Sequence, residues 1–236
     1  MEISADFQGI MKAIVENLQA VRERIGRAAK AARRDAQSVS LLAVSKTHPA
    51  PRIAEAYAAG QRAFGENYVQ EAIEKMAALP ELEWHLIGPL QSNKTKLAAE
   101  HFQWVHTVDR EKVARRLSEQ RPPGLPPLNV LIQVNASGEA TKSGVAYTEI
   151  EELARSIRSL ARLRLRGLMA IPEPGAARQR YREVHDAYQA LREAYGFDTL
   201  SMGMSDDLEL AIEEGATMVR VGTAIFGQRR REQDAA

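Results

Sequence analysis

Cysteine is absent from all 236 residues, which excludes disulfides, thiolate catalysis and cysteine-based zinc sites together. Charge imbalance is also missing: 32 basic side chains face 31 acidic ones, leaving +1. No global field therefore draws the chain to nucleic acid or to an anionic membrane. No apolar stretch approaches a bilayer span, and the N-terminus lacks the apolar block of a signal peptide. Glu2, Asp6, Glu16 and Glu23 make the opening segment too acidic for an organelle presequence. The five histidines form no helical metal-ligand pair, and no Ser-His-Asp or nucleophile-elbow pattern occurs. His85 and His106 are expected at strand ends as core or rim histidines with satisfied nitrogens.

One segment, Gly88-Pro89-Leu90-Gln91-Ser92-Asn93-Lys94-Thr95, comes close to a nucleotide-binding loop. Asn93 stands where the glycine of the Gly-Lys step belongs, and Pro89 removes a cradling amide. Nucleotide hydrolysis is thereby disfavoured, and Ser92 is expected to cap a helix that exposes Lys94 and Lys96. What remains is the composition of an ordinary globule, 44% hydrophobic and 27% charged. A reducing cytoplasm is the expected compartment.

Phe7, Ile10, Ile14, Leu18, Val21 and Ile25 recur at helical spacing and predict an amphipathic helix over 4–35. After it, strand-like and helix-like segments alternate. The strand candidates are 38–46, 62–66, 83–88, 104–108, 128–135, 164–171, 199–203 and 218–222. Helical patterns lie between them, as in Ile53 to Gly60, Val69 to Leu79, Glu149 to Leu160 and Ala177 to Tyr195. Such alternation implies a parallel sheet, and eight units in about 250 residues is the size of a (β/α)8 barrel. A doubly wound open sheet is the competing arrangement. The proline-rich stretch from Arg121 to Pro127 is too short to separate domains and leads into the fifth strand.

In a barrel, chemistry collects where strands end. Lys46 closes the apolar run Leu41-Leu42-Ala43-Val44-Ser45-Lys46. Desolvation at such a mouth favours the neutral amine, a nucleophile for carbonyl compounds. A strand-end lysine paired with a carboxylate is the alternative from this residue alone. Gly203 and Gly222 fall on the seventh and eighth strands, where barrels of this kind often hold phosphate. Ala224-Ile225-Phe226-Gly227 could form a short helix facing the anion, with Ser205 reaching over. Asp206 and Asp207 would repel that anion, so both are expected to turn away.

These residues sit in segments that recur in order in one family. They are LLAVSKTHP around Lys46, FGENYVQEA at 64–72, WHLIGPLQSNK at 84–94, VNASGEATKSG at 134–144, GLMAI at 167–171, LSMGMSDDLELAI at 200–212 and VRVGTAIFG at 219–227. Over nearly its whole length the chain resembles the pyridoxal 5′-phosphate homeostasis proteins. The resemblance implies an α/β fold, a single (β/α)8 TIM barrel over 1–236 similar to the N-terminal domain of alanine racemase. It implies pyridoxal 5′-phosphate (PLP) held as a Schiff base on Lys46, with Asn67 beside the ring. Ser205, Gly222 and Thr223 become the phosphate contacts, and Arg220 the partner of the pyridine nitrogen.

An arginine there leaves the nitrogen an unprotonated acceptor, which weakens PLP as an electron sink. The related racemases also take a tyrosine from a second domain, and this chain ends soon after the eighth strand. The expectation is a monomeric PLP carrier and buffer without turnover, delivering to apo-forms of PLP-dependent enzymes. A PLP-dependent amino-acid racemase or lyase, working with Lys46 and a loop residue such as His85, is the alternative. A cofactor-free Schiff-base aldolase is a third. Lys142, in the loop after the fifth strand, is a candidate second amine for cofactor transfer, or else a solvated loop lysine.

Overall fold

Strands buried on both faces carry unbroken apolar runs, and the chain uses eight of them. The computed structural model describes residues 5–139 and 142–228, with side chains from residue 13 onward. Its strands are β1 (Ser40–Val44), β2 (Ala63–Glu66), β3 (Glu83–Leu86), β4 (Trp104–Val108), β5 (Leu128–Val134), β6 (Leu163–Ala170), β7 (Thr199–Ser201) and β8 (Met218–Val221). All pair in parallel with their sequence neighbours, and β8 returns to β1 with Leu42 opposite Arg220 and Ala43 opposite Val221. The sheet is a closed barrel, so the open doubly wound arrangement is excluded.

The helices are α1 (Ala5–Ala31), α2 (Ala50–Ala58), α3 (Val69–Ala78), α4 (Thr95–His101), α5 (Glu111–Gln120), α6 (Ile150–Arg158), α7 (Arg178–Tyr195), α8 (Leu208–Glu213) and α9 (Thr223–Phe226). The first is shorter than the predicted 4–35. Arg33 takes a positive φ of 57°, and Asp35 then accepts from the Gln37 amide to cap a 3-10 turn, Ala36–Ser38. That turn also trims the predicted 38–46 strand. Ile14, Leu18, Val21 and Ile25 of α1 are buried, and the helix packs on α2, α8 and α9. The Phe7 and Ile10 side chains lie outside the described residues. Among the described residues no helix is long and apolar enough to cross a membrane.

Two cores result. One fills the layer between sheet and helices and contains Phe64, Trp84, Leu128, Val219 and Phe226. The other is a small cluster, Trp104, Leu131 and Met169, packed among side chains that cross the barrel interior. Trp104 meets two partners there, His85 stacked at 5.1 Å between ring centroids and the Arg166 guanidinium 4.7 Å from the centre of the Trp104 ring. The register of β6 against β5 shifts between Val130 and Leu131, where Gly167 adopts φ 148° and a Cβ would strike the Thr199 carbonyl. Only glycine fits that bulge. Arg121 justifies the proline-rich approach to β5: its guanidinium donates to the Ala99, Phe102 and Pro126 carbonyls at 2.7–2.8 Å.

Ser92 does not cap a helix with its hydroxyl. Its carbonyl instead accepts from Thr95 Oγ1 at 2.9 Å, and α4 starts at Thr95 without a side-chain cap. Threonine inside the helix performs the tethering that serine was expected to provide.

Candidate functional site

Strand pairing brings the candidate residues to one end of the barrel. Val44 on β1 is level with Gly65 on β2. Two residues further along each chain come Lys46 and Asn67. Ser45 donates its hydroxyl to the buried Glu66 Oε1 at 2.6 Å, and Lys46 follows it in the turn that leaves β1. Lys46 is half-buried.

The turn carrying Lys46 is tied down on both sides. Lys75 on α3 is buried, and its ammonium donates to the Ser45 carbonyl, Glu66 Oε1 and Glu71 Oε1 at 2.9, 2.7 and 2.6 Å. Glu71 Oε1 also accepts the Thr47 amide at 2.6 Å, and Thr47 is held at φ 66°. A non-glycine residue there costs about 1 kcal/mol or more unless its surroundings enforce it. These contacts supply the enforcement.

Arg220 belongs to β8 and is buried inside the barrel. Its guanidinium donates to Ser201 Oγ at 2.8 Å and to the Ala170 carbonyl at 3.0 Å. Burial lowers its pKa to about 10, which leaves it a cation at neutral pH. After β8, Gly222 lies so close to β1 that a Cβ would sit 3.1 Å from the Val44 carbonyl oxygen. Thr223 then opens α9, where the Ile225 and Phe226 amides both donate to the Gly222 carbonyl at 2.9 Å and the Thr223 and Ala224 amides lie at the helix start. Ser205 approaches from the β7 side, its Oγ 3.4 Å from the Ala224 amide that donates toward it. The expected short helix is thus present, and Ser205 does reach over to it.

Three side chains brace this pair of elements from outside. Arg24 on α1 donates to the Ser205 carbonyl at 2.9 Å and grips Glu209 through two hydrogen bonds. Asn17 donates to the Ile225 carbonyl at 3.0 Å, and Arg52 to that of Phe226 at 2.9 Å. Asp207 has both carboxylate oxygens engaged. One of its oxygens accepts the Met204 amide at 2.6 Å, and the other the Tyr181 hydroxyl at 2.5 Å. Asp206 is exposed.

A cavity of about 280 Å³ opens beside Asn67, with Gln133, Asn135, Ser137, Lys142 and Glu173 in its wall. Lys142 therefore shares a wall with Asn67, and it is exposed. Among the described residues no cluster suited to a metal ion occurs.

Two expectations about histidine are corrected. His85 and His106 are not at strand ends but within β3 and β4, and both are fully buried. His85 is not a loop residue and cannot serve as an acid or base there: its nitrogens meet Glu83 and His106 at 2.8 and 2.9 Å. Their nitrogens are satisfied, as predicted. Sequence reasoning missed that His106 also meets Ser201, at 3.2 Å, and so connects to Arg220. The signal was the inward register of β3, β4, β7 and β8, legible only once the barrel was closed.

Residues 16–230 match the family described as alanine racemase, N-terminal domain. The pyridoxal phosphate homeostasis protein of Pseudomonas aeruginosa is 61% identical over 226 residues, covering 93% of this chain and 97% of the relative. The chain belongs to the pyridoxal phosphate homeostasis protein family. Its Escherichia coli K12 relative is 55% identical over 229 residues, 93% of this chain and 98% of that protein. PipY of Synechococcus elongatus, solved with PLP bound, has a TM-score of 0.77 at 39% identity, covering 91% of this chain and all of that one. Alanine racemase from Corynebacterium glutamicum shares the fold, with a TM-score of 0.70 at 18% identity over 94% of this chain and 62% of its own.

Proposed function

We propose that this chain binds pyridoxal 5′-phosphate, holds it reversibly as a Schiff base on Lys46, and buffers and delivers it without substantial turnover. The observation that carries the reading is the convergence of Lys46, Arg220 and the Ser205–Gly222–Thr223 group at one barrel end, in a chain with close relatives named for PLP homeostasis. The donor set suits the ligand. A helix start and a serine hydroxyl match a phosphate, a buried donor-only cation matches a pyridine nitrogen, and an amine matches an aldehyde. Asn67 stands beside the ring in this reading.

PLP supplies electron-withdrawing carbonyl chemistry when bound. The protein's contribution is to moderate it. Arg220 remains a cation and gives a hydrogen bond rather than a proton, so the ring nitrogen stays unprotonated. That disfavours carbanion chemistry and suits storage. Addition of the Lys46 amine to the aldehyde releases one water, and one water returned frees the cofactor. The proposed setting is a single-domain monomer in the cytoplasm, serving apo-forms of PLP-dependent enzymes.

The test is absorbance with borohydride trapping. Wild-type protein with PLP should give a visible band that borohydride bleaches, and peptide mapping should find the label on Lys46. Lys46→Ala should show neither. Label on another lysine, or amino-acid racemisation at physiological substrate concentrations by pure protein, would overturn the reading.

Lys142 has a place in the same proposal. As an exposed amine on the cavity beside Asn67, it can accept the aldehyde by transimination on its way out. Lys142→Ala should slow transfer of PLP to an apo-enzyme while leaving equilibrium binding near wild type. Transfer at the wild-type rate would remove Lys142 from the scheme.

A further inference from the structure

A file of polar side chains crosses the interior of the barrel. It starts at Glu83, whose carboxylate is half-exposed at the beginning of β3, and Glu83 Oε1 lies 2.8 Å from His85 Nε2. His85 Nδ1 lies 2.9 Å from His106 Nε2, and His106 Nδ1 lies 3.2 Å from Ser201 Oγ. Ser201 Oγ accepts from Arg220 at 2.8 Å. Four strands, β3, β4, β7 and β8, each place a link, and His85, His106, Ser201 and Arg220 are all buried.

The chemistry of the two ends settles the direction. Arginine has five N–H donors and no acceptor, while an ionised carboxylate only accepts. Ser201 therefore uses a lone pair toward Arg220 and directs its proton to His106 Nδ1. His106 must then carry its proton on Nε2 and donate to His85 Nδ1. His85 in turn carries its proton on Nε2 and donates to Glu83. Each ring is neutral and each nitrogen is satisfied. The reverse sense would require an imidazolium at His85, deep in the barrel. Burial holds both histidines below their ordinary pKa, His106 well below it, which opposes that state. The hydrogen bond from His85 correspondingly keeps the Glu83 carboxyl below its usual range.

We propose that Glu83, His85, His106 and Ser201 are positioning residues for Arg220, a one-way relay that fixes its guanidinium and presents its remaining donors to the ligand at the barrel mouth. The inference rests on the reading of the site as a PLP site and adds residues far from the ligand to its determinants. Every O–H and N–H in the relay points away from Arg220, so the lone pair next to the guanidinium is always a favourable one. Because Arg220 cannot take up a proton from Ser201, the relay cannot reverse and is no proton wire. It is a fixed line of dipoles ending on a carboxylate. Stacking on Trp104, with 7° between the ring planes, restricts tilting of the His85 ring.

Two measurements on the full chain test it. Nitrogen NMR of histidine-labelled protein without added ligand should show His85 and His106 as neutral Nε2–H tautomers, with scalar coupling between His106 Nε2 and His85 Nδ1. PLP titration should then show His106→Phe binding about tenfold more weakly, the effect of about one buried hydrogen bond. The visible band should shift, although borohydride still labels Lys46. Glu83→Gln, at the half-exposed end, keeps the acceptor oxygen but loses its charge. It should shift the band in the same direction with an affinity loss of about threefold, roughly half of that free energy. A wild-type His85 imidazolium, or an Nδ1–H tautomer at His106, would overturn the relay. So would both variants matching wild type in band and affinity. If His106→Phe does not fold, an unchanged Glu83→Gln alone overturns it. Wild-type protein that neither absorbs nor labels at Lys46 would instead sink the PLP reading, and the tautomers would still decide the relay.

Discussion

Lys75→Met is expected to lower the unfolding free energy by about 3–5 kcal/mol at neutral pH, as breaking a buried ion pair on one side generally does. Lys75 and Glu66 lie between α3 and β2, 7% and 0% exposed in their side chains. Glu66 Oε2 is buried without a partner among the described residues, so this carboxylate relies on its other oxygen. That oxygen accepts from Ser45 and Lys75. Burial pushes the Glu66 carboxyl above its ordinary pKa, and the Lys75 charge is the main force pulling it back. Methionine keeps the length and apolar stem of lysine but removes that counter-charge, so the folded pKa rises further. A carboxyl with a raised folded pKa binds more protons folded than unfolded. Its favourable contribution is complete below the unfolded pKa and is lost as pH rises through the folded one. The deficit of the variant should therefore be largest at neutral and alkaline pH and shrink toward acid, where Glu66 is neutral in both proteins. Urea denaturation across pH checks this. A deficit independent of pH would show that lost packing, not an uncompensated charge, is responsible.

The same substitution bears on function through local structure. The Ser45 carbonyl and, by way of Glu71, the Thr47 amide are the backbone groups on either side of Lys46. With them released, the strained Thr47 backbone has less to hold it. The Lys46 amine should then be less well placed.

All eight strands were legible because parallel strands with two buried faces must be apolar almost throughout. The same property hid which face was which. In β4, Trp104, Val105, His106, Thr107 and Val108 are all buried, so alternation alone does not say that Trp104 and His106 face inward. Closure of the barrel supplies that information, and it exists only in three dimensions. Lys75 was hidden differently. Glu71 and Lys75, four residues apart on a helix, look like a solvent-exposed pair. Lys75 is buried because Glu66 points outward from β2, which turns a surface pattern into an interior ion pair. Lys46, Gly222 and Ser205 were legible as candidates because each follows a strand that reads clearly, whereas Arg220 lies inside β8 and owed its expected role to the family resemblance. The histidines, in mid-strand, were not.

Gly88→Ala is expected to cost about 3 kcal/mol, the upper end of what overpacking does, and to disturb the site through Asn67. The backbone of Gly88 does not demand glycine by its φ; the space does. A Cβ there would lie 2.6 Å from Asn67 Cα and 2.7 Å from Asn67 C, with the Asn67 carbonyl oxygen closer still. These are backbone atoms, which cannot swing aside as a side-chain tip can. Retreat by residue 88 is also blocked. Its carbonyl accepts from Thr107 Oγ1 at 2.8 Å, and the preceding Ile87 amide donates to the Glu66 carbonyl at 2.9 Å. Relief must come either from parting β2 and β3 or from displacing Asn67. The first lowers stability, and the second moves a proposed neighbour of the PLP ring. Gly124→Ala is the control, since nothing lies within 4 Å of a Cβ there, and it should stay within about 0.5 kcal/mol of wild type. Urea denaturation of both variants, with PLP titration of whichever folds, separates the two routes. Lost stability with unchanged affinity would place the strain in the β2–β3 pairing, and weakened affinity would place it at Asn67. A Gly88→Ala protein as stable as Gly124→Ala, with wild-type affinity, would show that the clearance at Gly88 is not what makes the position glycine. The residue that imitates the first glycine of a nucleotide loop would then need another cause, because the loop it opens cradles no phosphate through Pro89.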